Sequence, residues 1–555
     1  MSSIKGLERS NRLEIAALFF IATAAFFYFT GGTILNPTNV KWLYWGDPAT
    51  SYLGWQFFRD TALFQFPLGK TPNFGSGFSS SILYTDSIPL IAIPLKYFSF
   101  LLPDSFQYFG FWIYTTFILQ VFFASKVLAF WVKDSALRVL GSTLFLIAPI
   151  FLYRLVHNGS GHIGFTNQFL ILWAILLILQ KSKSVFRWSL ILCFSVLLSV
   201  GILPMILLLF LAYMAIEAIK QRTNQVFIPN LILIVIPLFL TVFVLWASGG
   251  TMVSNTTSEG FGTYRSTLAS MIDPSPPLNF SWSQIAPQID SPGGTEEGFS
   301  FIGISGVLLF PFMFLFLKHK SNLRNVISLL AAGIMMLILS LSNVISFGNR
   351  VLFTYQVPTL LAPIFETLRS SGRFTWPAIY LILVFGTVGI IKTTTRGTGS
   401  TVSFVLILSI VFIQLVDMAP ATTEIRERFS QPGFTAVLTD PKWNELAKQY
   451  DHLVAVPPLN NDPGWFELAL LANNWGMTSN AAYYGRIDQN KLFDESARLQ
   501  RVVDEQRFEP NTLYVITNYP PNPASPKLID QFSGSAANAP GIRVYELDGF
   551  VVVAP

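Results

Sequence analysis

The sequence predicts an α-helical polytopic membrane protein with about eleven transmembrane helices and a small C-terminal α/β domain. Its 555 residues are 52% hydrophobic and only 12% charged, whereas soluble domains carry about 25% charged residues. The mean hydropathy is +0.51, and phenylalanine is abundant, as is typical of helices surrounded by lipid. Lysine and arginine collect in alternate loops between long apolar segments, which is the pattern that orients polytopic membrane proteins.

Eleven apolar segments are predicted to cross the membrane, because a spanning helix needs about 17–25 apolar residues. The first follows a basic start, but it is longer than a secretory signal and lacks a small-residue cleavage site, so we predict that it is retained. Residues 186–218 are too long for one span and are predicted to form a hairpin that turns at Gly201–Pro204. The predicted spans are 13–35, 106–131, 136–153, 166–180, 186–201, 202–218, 227–248, 300–317, 323–341, 375–391 and 402–419.

The basic loops orient the chain with its N-terminus in the cytoplasm and residues 421–555 outside, because lysine and arginine accumulate on the cytoplasmic side. This orientation requires that residues 87–103 do not cross. Three prolines and Lys96 weaken a spanning helix there, so the segment is predicted to be an interfacial or re-entrant helix on the outer face. The basic loops are Lys5–Arg12, Lys126–Arg138, Lys181–Arg187, Lys220–Arg222, Lys318–Arg324 and Lys392–Arg396.

Two domains are predicted, a membrane domain at residues 1–420 and an outer α/β domain at residues 421–555. The membrane domain has three large outer loops, at 36–105, 249–299 and 342–374, and structureless loops of this length are uncommon unless they are functional. The outer domain carries a net charge of −5, which leaves +10 for the membrane domain. That surplus fits anionic lipid headgroups at the inner face, and no nucleic acid is expected as a partner.

The outer domain alternates predicted strands and helices. Residues 452–459, 512–517 and 542–555 are predicted strands, and Asp548-Gly549 inside the last of them indicates a hairpin turn. Helices are predicted in the segments PKWNELAKQY, GWFELALLANNW and QNKLFDESARLQRVVDEQ.

The first outer loop holds two candidate catalytic carboxylates, Asp47 in WGDPAT and Asp86 in YTDSIPL. Pro48 is expected to keep Asp47 extended and Gly46 to permit a close turn, which would fix the carboxylate near the membrane. The two acids can share a divalent metal ion, Mg²⁺ or Mn²⁺, or divide the roles of base and ligand. The alternatives are an Asx turn for Asp47 and a helix N-cap for Asp86.

The same loop is dense in aromatic residues. One interpretation is an aromatic belt at the membrane interface, and the other is stacking of one or two rings on the face of a sugar. The residues are Trp42, Tyr44, Trp45, Tyr52, Trp55, Phe57 and Phe58.

The second outer loop, RLVHNGSGHIG, contains Arg154, His157 and His162. Paired imidazoles on a glycine-rich turn at a membrane surface suit metal binding, acid–base chemistry or phosphate binding, whereas loop histidines can also be merely solvated. Glu297, before the eighth span, can complete a metal site with Asp47. Its alternative role is a polar helix start whose carboxylate complements the helix dipole.

The loop before the tenth span ends in LRSSGRFTWP, where Arg369 and Arg373 depart from the charge rule for outer loops. Guanidinium groups pair bidentately with phosphate, and backbone amides at a helix start reinforce anion binding. These arginines, joined by Arg154, are therefore candidate ligands of a diphosphate or a lipid phosphate, and the alternative is an ion pair with Glu366. No P-loop, dinucleotide-binding or Ser-His-Asp motif is present, and the single Cys193 excludes an intrachain disulfide and a cysteine-based metal site.

Five strings, WGDPATSYLGWQFFR, YTDSIPLIAIPLKYF, RLVHNGSGH, EEGFSFIG and LRSSGRF, are similar to an uncharacterised bacterial family of polytopic membrane proteins assigned to the GT-C glycosyltransferase superfamily. The resemblance covers nearly the whole chain. It implies that Asp47 is the catalytic base or a metal ligand, that Asp86 and Glu297 are further acidic ligands, and that Arg373 binds the phosphate of a polyprenyl-phosphate-linked sugar. The Trp-Trp-Asp acceptor motif of oligosaccharyltransferases is missing, which argues against glycosylation of protein asparagines.

The expected function is a membrane glycosyltransferase that moves a sugar from a polyprenyl-phosphate-linked donor to a glycan, lipid or protein acceptor at the outer, periplasmic face of the bacterial inner membrane. Two other classes stay open. A transporter or flippase of lipid-linked glycans needs charged residues inside the spans, and those present, chiefly Lys126, Glu217 and Asp417, lie near span ends. A non-catalytic subunit of a cell-envelope assembly complex would recruit partners through the outer domain.

Overall fold

The computed structural model describes residues 2–220, 227–254, 260–275, 280–360, 362, 365, 369–397, 399–430, 437–517, 525–538 and 541–555. The helices are α1 (Ser2–Thr30), α2 (Asp47–Arg59), α3 (Pro89–Lys96), α4 (Phe109–Leu128), α5 (Ser135–Leu146), α6 (Pro149–Leu152), α7 (Phe169–Leu179), α8 (Val185–Leu198), α9 (Leu203–Lys220), α10 (Phe227–Ala247), α11 (Gly303–Leu317), α12 (Lys320–Ser340), α13 (Trp376–Gly397), α14 (Ser400–Asp417), α15 (Ala419–Ser430), α16 (Lys442–Ala447), α17 (Trp465–Asn474), α18 (Gln489–Asp504) and α19 (Ser525–Asn538). The strands are β1 (Val344–Phe347), β2 (Arg350–Thr354), β3 (His452–Val456), β4 (Leu459–Asn460), β5 (Thr478–Ser479), β6 (Ala481–Ala482), β7 (Thr512–Ile516), β8 (Arg543–Leu547) and β9 (Phe550–Ala554).

The chain forms two compact units, each built from three segments. Unit 1 comprises Met1–Val40, Ser105–Thr241 and Ser258–Gln431, and unit 2 comprises Lys41–Asp104, Val242–Thr257 and Pro432–Pro555. The second unit therefore contains the first outer loop as well as the C-terminal region. The predicted division at residue 420 stays a prediction.

Several long apolar helices make the chain a membrane protein, but the expected number of about eleven spans is not supported. Within the described ranges four helices are long and apolar enough to cross a membrane, and α5 with Pro149–Gly159, bent by 49°, makes a fifth if the pair is one span. The other apolar helical stretches found in these ranges have 10–17 residues, among them Leu203–Ile219 of α9, Leu231–Ala247 of α10 and Val326–Ser340 of α12. Even 17 residues at 1.5 Å per residue reach about 26 Å, short of a hydrocarbon core of about 30 Å. The four helices are Arg12–Thr30, Phe109–Leu128, Ser371–Thr395 and Ser400–Asp417.

Helix α13 lies in the interior of unit 1, because residues 374–391 are all buried. Two glycines allow its backbone to approach α11. A Cβ at Gly389 would lie 2.1 Å from the carbonyl oxygen of Phe312, and one at Gly386 would lie 2.6 Å from Leu309. Small residues permit this close packing between apolar helices.

Polar side chains at the helix ends of unit 1 join neighbouring helices. Gln107, just before α4, donates its Nε2 hydrogen to the carbonyl of Ile34, just after α1, at 2.8 Å. Asn167, before α7, donates its Nδ2 hydrogen to the carbonyl of Leu198 at the end of α8, at 3.2 Å. Each contact joins the start of one helix to the end of another, so these pairs run antiparallel and return their loops to a common end.

Unit 2 contains a five-stranded sheet with the strand order β5-β3-β7-β9-β8. Strand β3 pairs in parallel with β5 and β7, whereas β9 is antiparallel to β7 and β8. The turn between β8 and β9 is Asp548-Gly549, with φ of 48° and 83°, which confirms the predicted hairpin. The strands and helices predicted from the C-terminal segments are likewise confirmed. The core between the sheet, α18 and α19 is formed by Val454, Val456, Leu499, Val502, Val503, Tyr514, Ile516, Ala536 and Val553.

The first outer loop packs within unit 2 against the C-terminal region. The hydroxyls of Thr71 and Tyr484 lie 2.7 Å apart, and the amide of Gly485 donates to the carbonyl of Tyr84 at 2.7 Å. The interpretation of the loop aromatics as an interfacial belt is wrong for most of them, because their rings are internal. Trp45 is the exposed member, whereas Trp42, Tyr52, Trp55, Phe57 and Phe58 are buried.

The segment 87–103 does not contain a helix that could cross a membrane. Its α-helix, α3, has eight residues, which at 1.5 Å per residue is about 12 Å. The N-cap of α3 is Ile88, with φ 51° and no side-chain cap, so the N-cap role considered for Asp86 is wrong. The prediction that this segment lies at the outer interface stays a prediction.

Replacing Leu499 by alanine should destabilise unit 2, because Leu499 is fully buried between α18 and the sheet. Loss of a buried leucine side chain costs about 2–5 kcal/mol of unfolding free energy. The measurement is pulse proteolysis of the C-terminal region across a urea series. Phe493→Ala is the matched control, because Phe493 lies on the same helix but is 68% exposed. Equal urea midpoints for the two variants would contradict the assigned core.

Candidate functional site

Three loops of unit 1 meet at the carboxylate of Glu297. Arg154, His157 and His162 lie between α6 and α7, Glu297 lies in a short 3₁₀ turn before α11, and Arg373 lies in a 3₁₀ turn that leads into α13. These five residues are called the Glu297 cluster below. Each stands next to an apolar helix, so the cluster lies where the apolar part of the unit ends.

Both oxygens of the Glu297 carboxylate are engaged. Oε1 lies 3.1 Å from Nε2 of His157, and Oε2 forms an ion pair with the guanidinium of Arg373. The backbone carbonyl of Glu297 also accepts hydrogen bonds from Nη2 of Arg154 at 2.9 Å and from Nε of Arg373 at 3.3 Å. One residue therefore fixes two arginines and a histidine.

The charge of Glu297 is retained despite its enclosure. Burial raises the pKa of the carboxyl group, but the positive charge of Arg373 and the hydrogen bond from His157 outweigh it and hold the pKa well below its ordinary value of 4.5. Glu297 is therefore ionised at neutral pH. The neighbouring Glu296 behaves differently, because burial raises the pKa of its carboxyl group and no arginine is among the causes of its shift.

The position of Glu297 selects one tautomer of His157. An ionised carboxylate only accepts hydrogen bonds, so Nε2 of His157 carries the proton in this contact. In the neutral ring the lone pair then lies on Nδ1, which is buried and has no hydrogen-bond partner among the described residues. His157 itself is fully buried. The arrangement presents a basic nitrogen that Glu297 holds in one orientation.

Aromatic rings surround the two arginines of the cluster. Cζ of Arg154 lies 4.7 Å from the ring centroid of Trp376 and 5.1 Å from that of Tyr153. Cζ of Arg373 lies 3.8 Å from the centroid of Phe165. Ring faces attract cations most strongly where water is excluded, and Arg154 is only 1% exposed. These rings could not be predicted as part of the site from the sequence, because their positions follow no period.

The glycine-rich turn of RLVHNGSGHIG brings its two imidazoles together, with ring centroids 5.9 Å apart. Gly161 has φ 90°, and a Cβ there would lie 2.7 Å from the carbonyl oxygen of Leu155, so only glycine fits. Arg428 of α15 donates its Nε hydrogen to the carbonyl of Ser160 at 2.7 Å. Burial lowers the pKa of Arg428 to about 10, which still leaves it charged at neutral pH.

The net charge around the cluster is positive. Arg154, Arg373 and Arg428 contribute three positive charges, and Glu296 and Glu297 contribute two negative charges when both are ionised. With neutral imidazoles the net charge is therefore +1. This balance suits an anion.

Arg369 lies over the ring of Tyr264, with Cζ 5.9 Å from the centroid, and its alternative partner Glu366 lies outside the described residues. Arg373 pairs with Glu297 instead. Asp47 and Asp86 belong to unit 2, and their predicted roles stay predictions.

The backbone at Asp47 differs from the prediction. Asp47 is the first residue of α2, so the extended conformation expected from Pro48 is wrong, and the alternative of an Asx turn at Asp47 stays a prediction. Proline fits the first turn of a helix because it lacks only an N–H that has no intrahelical partner. Gly46, with φ 59°, makes the expected close turn. The carboxylate consequently lies in the first turn of α2.

The carboxylate of Glu297 does not fit a divalent metal ion, whereas a metal role for His157 and His162 stays a prediction. Mg²⁺ and Mn²⁺ prefer oxygen ligands, and both carboxylate oxygens of Glu297 are taken by His157 and Arg373. A cation at Glu297 would have to displace Arg373. A metal role for Asp47 and Asp86 stays a prediction.

The family model described as "Domain of unknown function (DUF6311)" matches residues 19–419, and that of the "DUF6311 C-terminal domain" matches residues 442–555. No curated protein matches the chain. Among solved structures, the oligosaccharyltransferase of Archaeoglobus fulgidus tethered to an acceptor peptide with the NVT sequon is similar at 11% identity and a TM-score of 0.43, over 91% of this chain and 69% of that one. The oligosaccharyltransferase AglB of the same organism, in complex with an inhibitory peptide and a dolichol-phosphate, is similar at 10% identity and a TM-score of 0.39, over the same 91% and 69%.

The variant Glu297→Gln should lose stability mainly above pH 4.5. The folded-state pKa of Glu297 is depressed, so its ionic contribution is present above the unfolded value and is lost as the pH falls towards the folded value. Wild type and Glu297→Gln should therefore differ in thermal midpoint at pH 7, and the difference should shrink below pH 4.5. The measurement is thermal unfolding in detergent micelles, with the exposed Glu445→Gln as the control. A difference that is constant with pH would contradict the ion pairs.

Proposed function

The chain belongs to the DUF6311 family, and we propose that it is a membrane glycosyltransferase of the GT-C type. It transfers a sugar from a polyprenyl-phosphate-linked donor to a glycan, lipid or protein acceptor. The observation that carries the proposal is the Glu297 cluster, a net positive group of arginines and imidazoles at the end of an apolar helical unit. A polyprenyl chain stays in lipid, so its phosphate must be bound where the lipid ends.

Arg373 is assigned to binding of the donor phosphate. Arg154, which donates to the same Glu297 carbonyl as Arg373, is assigned a supporting role in that binding. A guanidinium has five N–H donors, and Glu297 takes one on Nε and one on Nη2 of Arg373. The donors that remain on the Nη1 edge are assigned to a phosphate oxygen. Because Glu297 holds the guanidinium plane fixed, little side-chain freedom is lost when the phosphate binds.

His157 is assigned to acid–base chemistry at the leaving group. Its Nδ1 has the lone pair, and Glu297 stabilises the imidazolium that forms when Nδ1 gains a proton. The protonated ring then donates to the phosphate oxygen that leaves the sugar. The ring centroid of His162 lies 5.9 Å from that of His157. His162 is likewise assigned to compensation of the negative charge on the leaving phosphate.

Asp47 is assigned as the base for the acceptor, and Asp86 as a second acidic group of the reaction. The acceptor oxygen attacks the anomeric carbon, its proton passes to Asp47, and the bond from the anomeric carbon to the phosphate oxygen breaks. The electron pair of that bond leaves with polyprenyl phosphate. General-base catalysis of this kind is worth about 10²–10⁴-fold in rate, and no step passes through a metal ion.

The proposed location is the bacterial inner membrane, with the N-terminus in the cytoplasm and the reaction at the periplasmic face. The residues of the Glu297 cluster come from three loops that the sequence assigns to one side. Their contacts with one another support that common side.

The variant Asp47→Asn should reduce sugar transfer by about 10²–10⁴-fold, because an amide cannot accept the proton. The measurement uses the full chain in proteoliposomes with lipid-linked sugars extracted from bacterial membranes, and quantifies released polyprenyl phosphate by mass spectrometry. Asp494→Asn, an exposed aspartate of unit 2, is the matched control. Undiminished release by Asp47→Asn would refute its role, and movement of the lipid-linked sugar without release would indicate a flippase.

The variant Arg373→Lys should raise the KM for the donor and change kcat less. Lysine keeps the charge and the pairing with Glu297 but loses the planar fork that binds phosphate bidentately. The same assay, run over a series of donor concentrations, separates the two constants. Arg426→Lys, an exposed arginine of α15, is the control, and a donor KM unchanged by Arg373→Lys would contradict the assignment.

A further inference from the structure

Unit 2 carries a row of exposed apolar side chains, called the apolar ridge here. The row lies on two neighbouring segments, residues 63–68 (the first segment) and residues 97–101 (the second segment). Phe64 is 87% exposed and Phe100 is 79% exposed. Contiguous exposed apolar patches mark contacts with another protein, a ligand or a membrane, so this row is a candidate interaction surface. The exposed members are Leu63, Phe64, Phe66, Leu68, Tyr97, Phe98, Phe100 and Leu101.

The apolar ridge continues into the last turns of α10 that belong to unit 2. The ring of Phe66 lies 4.7 Å from that of Trp246, and the amide of Leu68 donates to the carbonyl of Ala247 at 2.8 Å. Val242 and Trp246 are themselves exposed. The row of exposed side chains therefore includes the last residues of α10, from Val242 onward, which belong to unit 2.

The two segments of the apolar ridge are also in contact, because the rings of Phe64 and Tyr97 lie 6.2 Å apart. Arg59 of α2 holds the second segment in shape. Its guanidinium donates to the carbonyls of Ser99, Leu102, Pro103 and Asp104 at 3.0, 3.2, 2.8 and 3.1 Å.

Lys96 of α3 holds the first segment. Its ammonium group donates to the hydroxyl of Thr61 at 2.5 Å and to the carbonyl of Ala62 at 2.7 Å, and it lies 4.5 Å from the ring of Phe58. Burying a cation is costly unless its hydrogen bonds are satisfied. Arg59 and Lys96 thus hold the backbone of the two segments in place through hydrogen bonds. The apolar side chains of the ridge are therefore exposed because the ordered backbone points them outward.

We propose that the apolar ridge inserts into the interfacial region of the bilayer beside the end of α10, so that unit 2 rests on lipid. The occupant is lipid because the ridge is continuous with the exposed side of an apolar helix. Its aromatic residues include Trp246 and Tyr97, and tryptophan and tyrosine are enriched at membrane interfaces. This inference does not depend on the proposed glycosyl transfer.

The test is lipid-dependent quenching at single cysteines in the full chain. Cys193, the chain's single cysteine, is replaced by serine, and Phe64→Cys, Phe100→Cys and Phe493→Cys are each labelled with an environment-sensitive fluorophore. Phe493 is the matched control, since it is 68% exposed but lies on α18 among charged residues. The proteins are reconstituted in phosphatidylcholine–phosphatidylglycerol nanodiscs with or without brominated acyl chains.

Labels at positions 64 and 100 should shift to shorter wavelength and lose fluorescence in brominated lipid, whereas the label at position 493 should do neither. Equal quenching at all three positions would show that the fluorophore itself seeks lipid and would overturn the inference. Blue-shifted emission at 64 and 100 without quenching would place a protein, such as a second copy of the chain, on the ridge and would also overturn it.

Discussion

The enclosed carboxylate of Glu297 is the interaction on which the polar end of unit 1 depends. Burial alone favours the neutral carboxyl group, and only the neighbouring arginine and histidine keep it charged. Arg373 and His157 reach it from two other loops, so the polar contacts are also cross-links between chain segments. The two side chains are only 12% and 18% exposed, so removing one partner leaves a largely desolvated charge uncompensated. The three loops are thereby held in one arrangement.

Much of this arrangement was predictable from local pattern. Outward arginines break the charge rule, and a histidine pair on a glycine-rich turn is unusual, so His157, Glu297 and Arg373 stood out as candidates. The pairing of Glu297 with Arg373, rather than with a metal ion, could not be predicted. The separation of two loops along the chain does not give their distance in space. The C-terminal strands were predictable since period-two alternation and Asp548-Gly549 act locally.

The predicted number of spans was not supported and the predicted aromatic belt was wrong, both for one reason. Hydropathy does not distinguish a side chain that faces lipid from one that is buried inside the protein. An apolar run predicts burial, and a helix such as α7 is apolar all round but has only 11 residues. The aromatic residues of the first outer loop suit a membrane interface by composition, yet Trp55 and Phe58 are core residues of unit 2. Their place depends on contacts such as Thr71 with Tyr484, over 400 residues apart in the chain. No local window contains both partners.

The charge of the Glu297 cluster limits the anion that fits the proposed function. Its two arginines and one glutamate leave a net charge of +1 with neutral imidazoles. A sugar on a single polyprenyl phosphate is a phosphodiester with one negative charge, so it neutralises the cluster without a proton. A diphosphate diester carries two negative charges and would leave an excess of one, which only protonation of His157 or His162 could offset. Charge balance in a site of low dielectric therefore favours the monophosphate donor and leaves the histidines free to move a proton during the reaction.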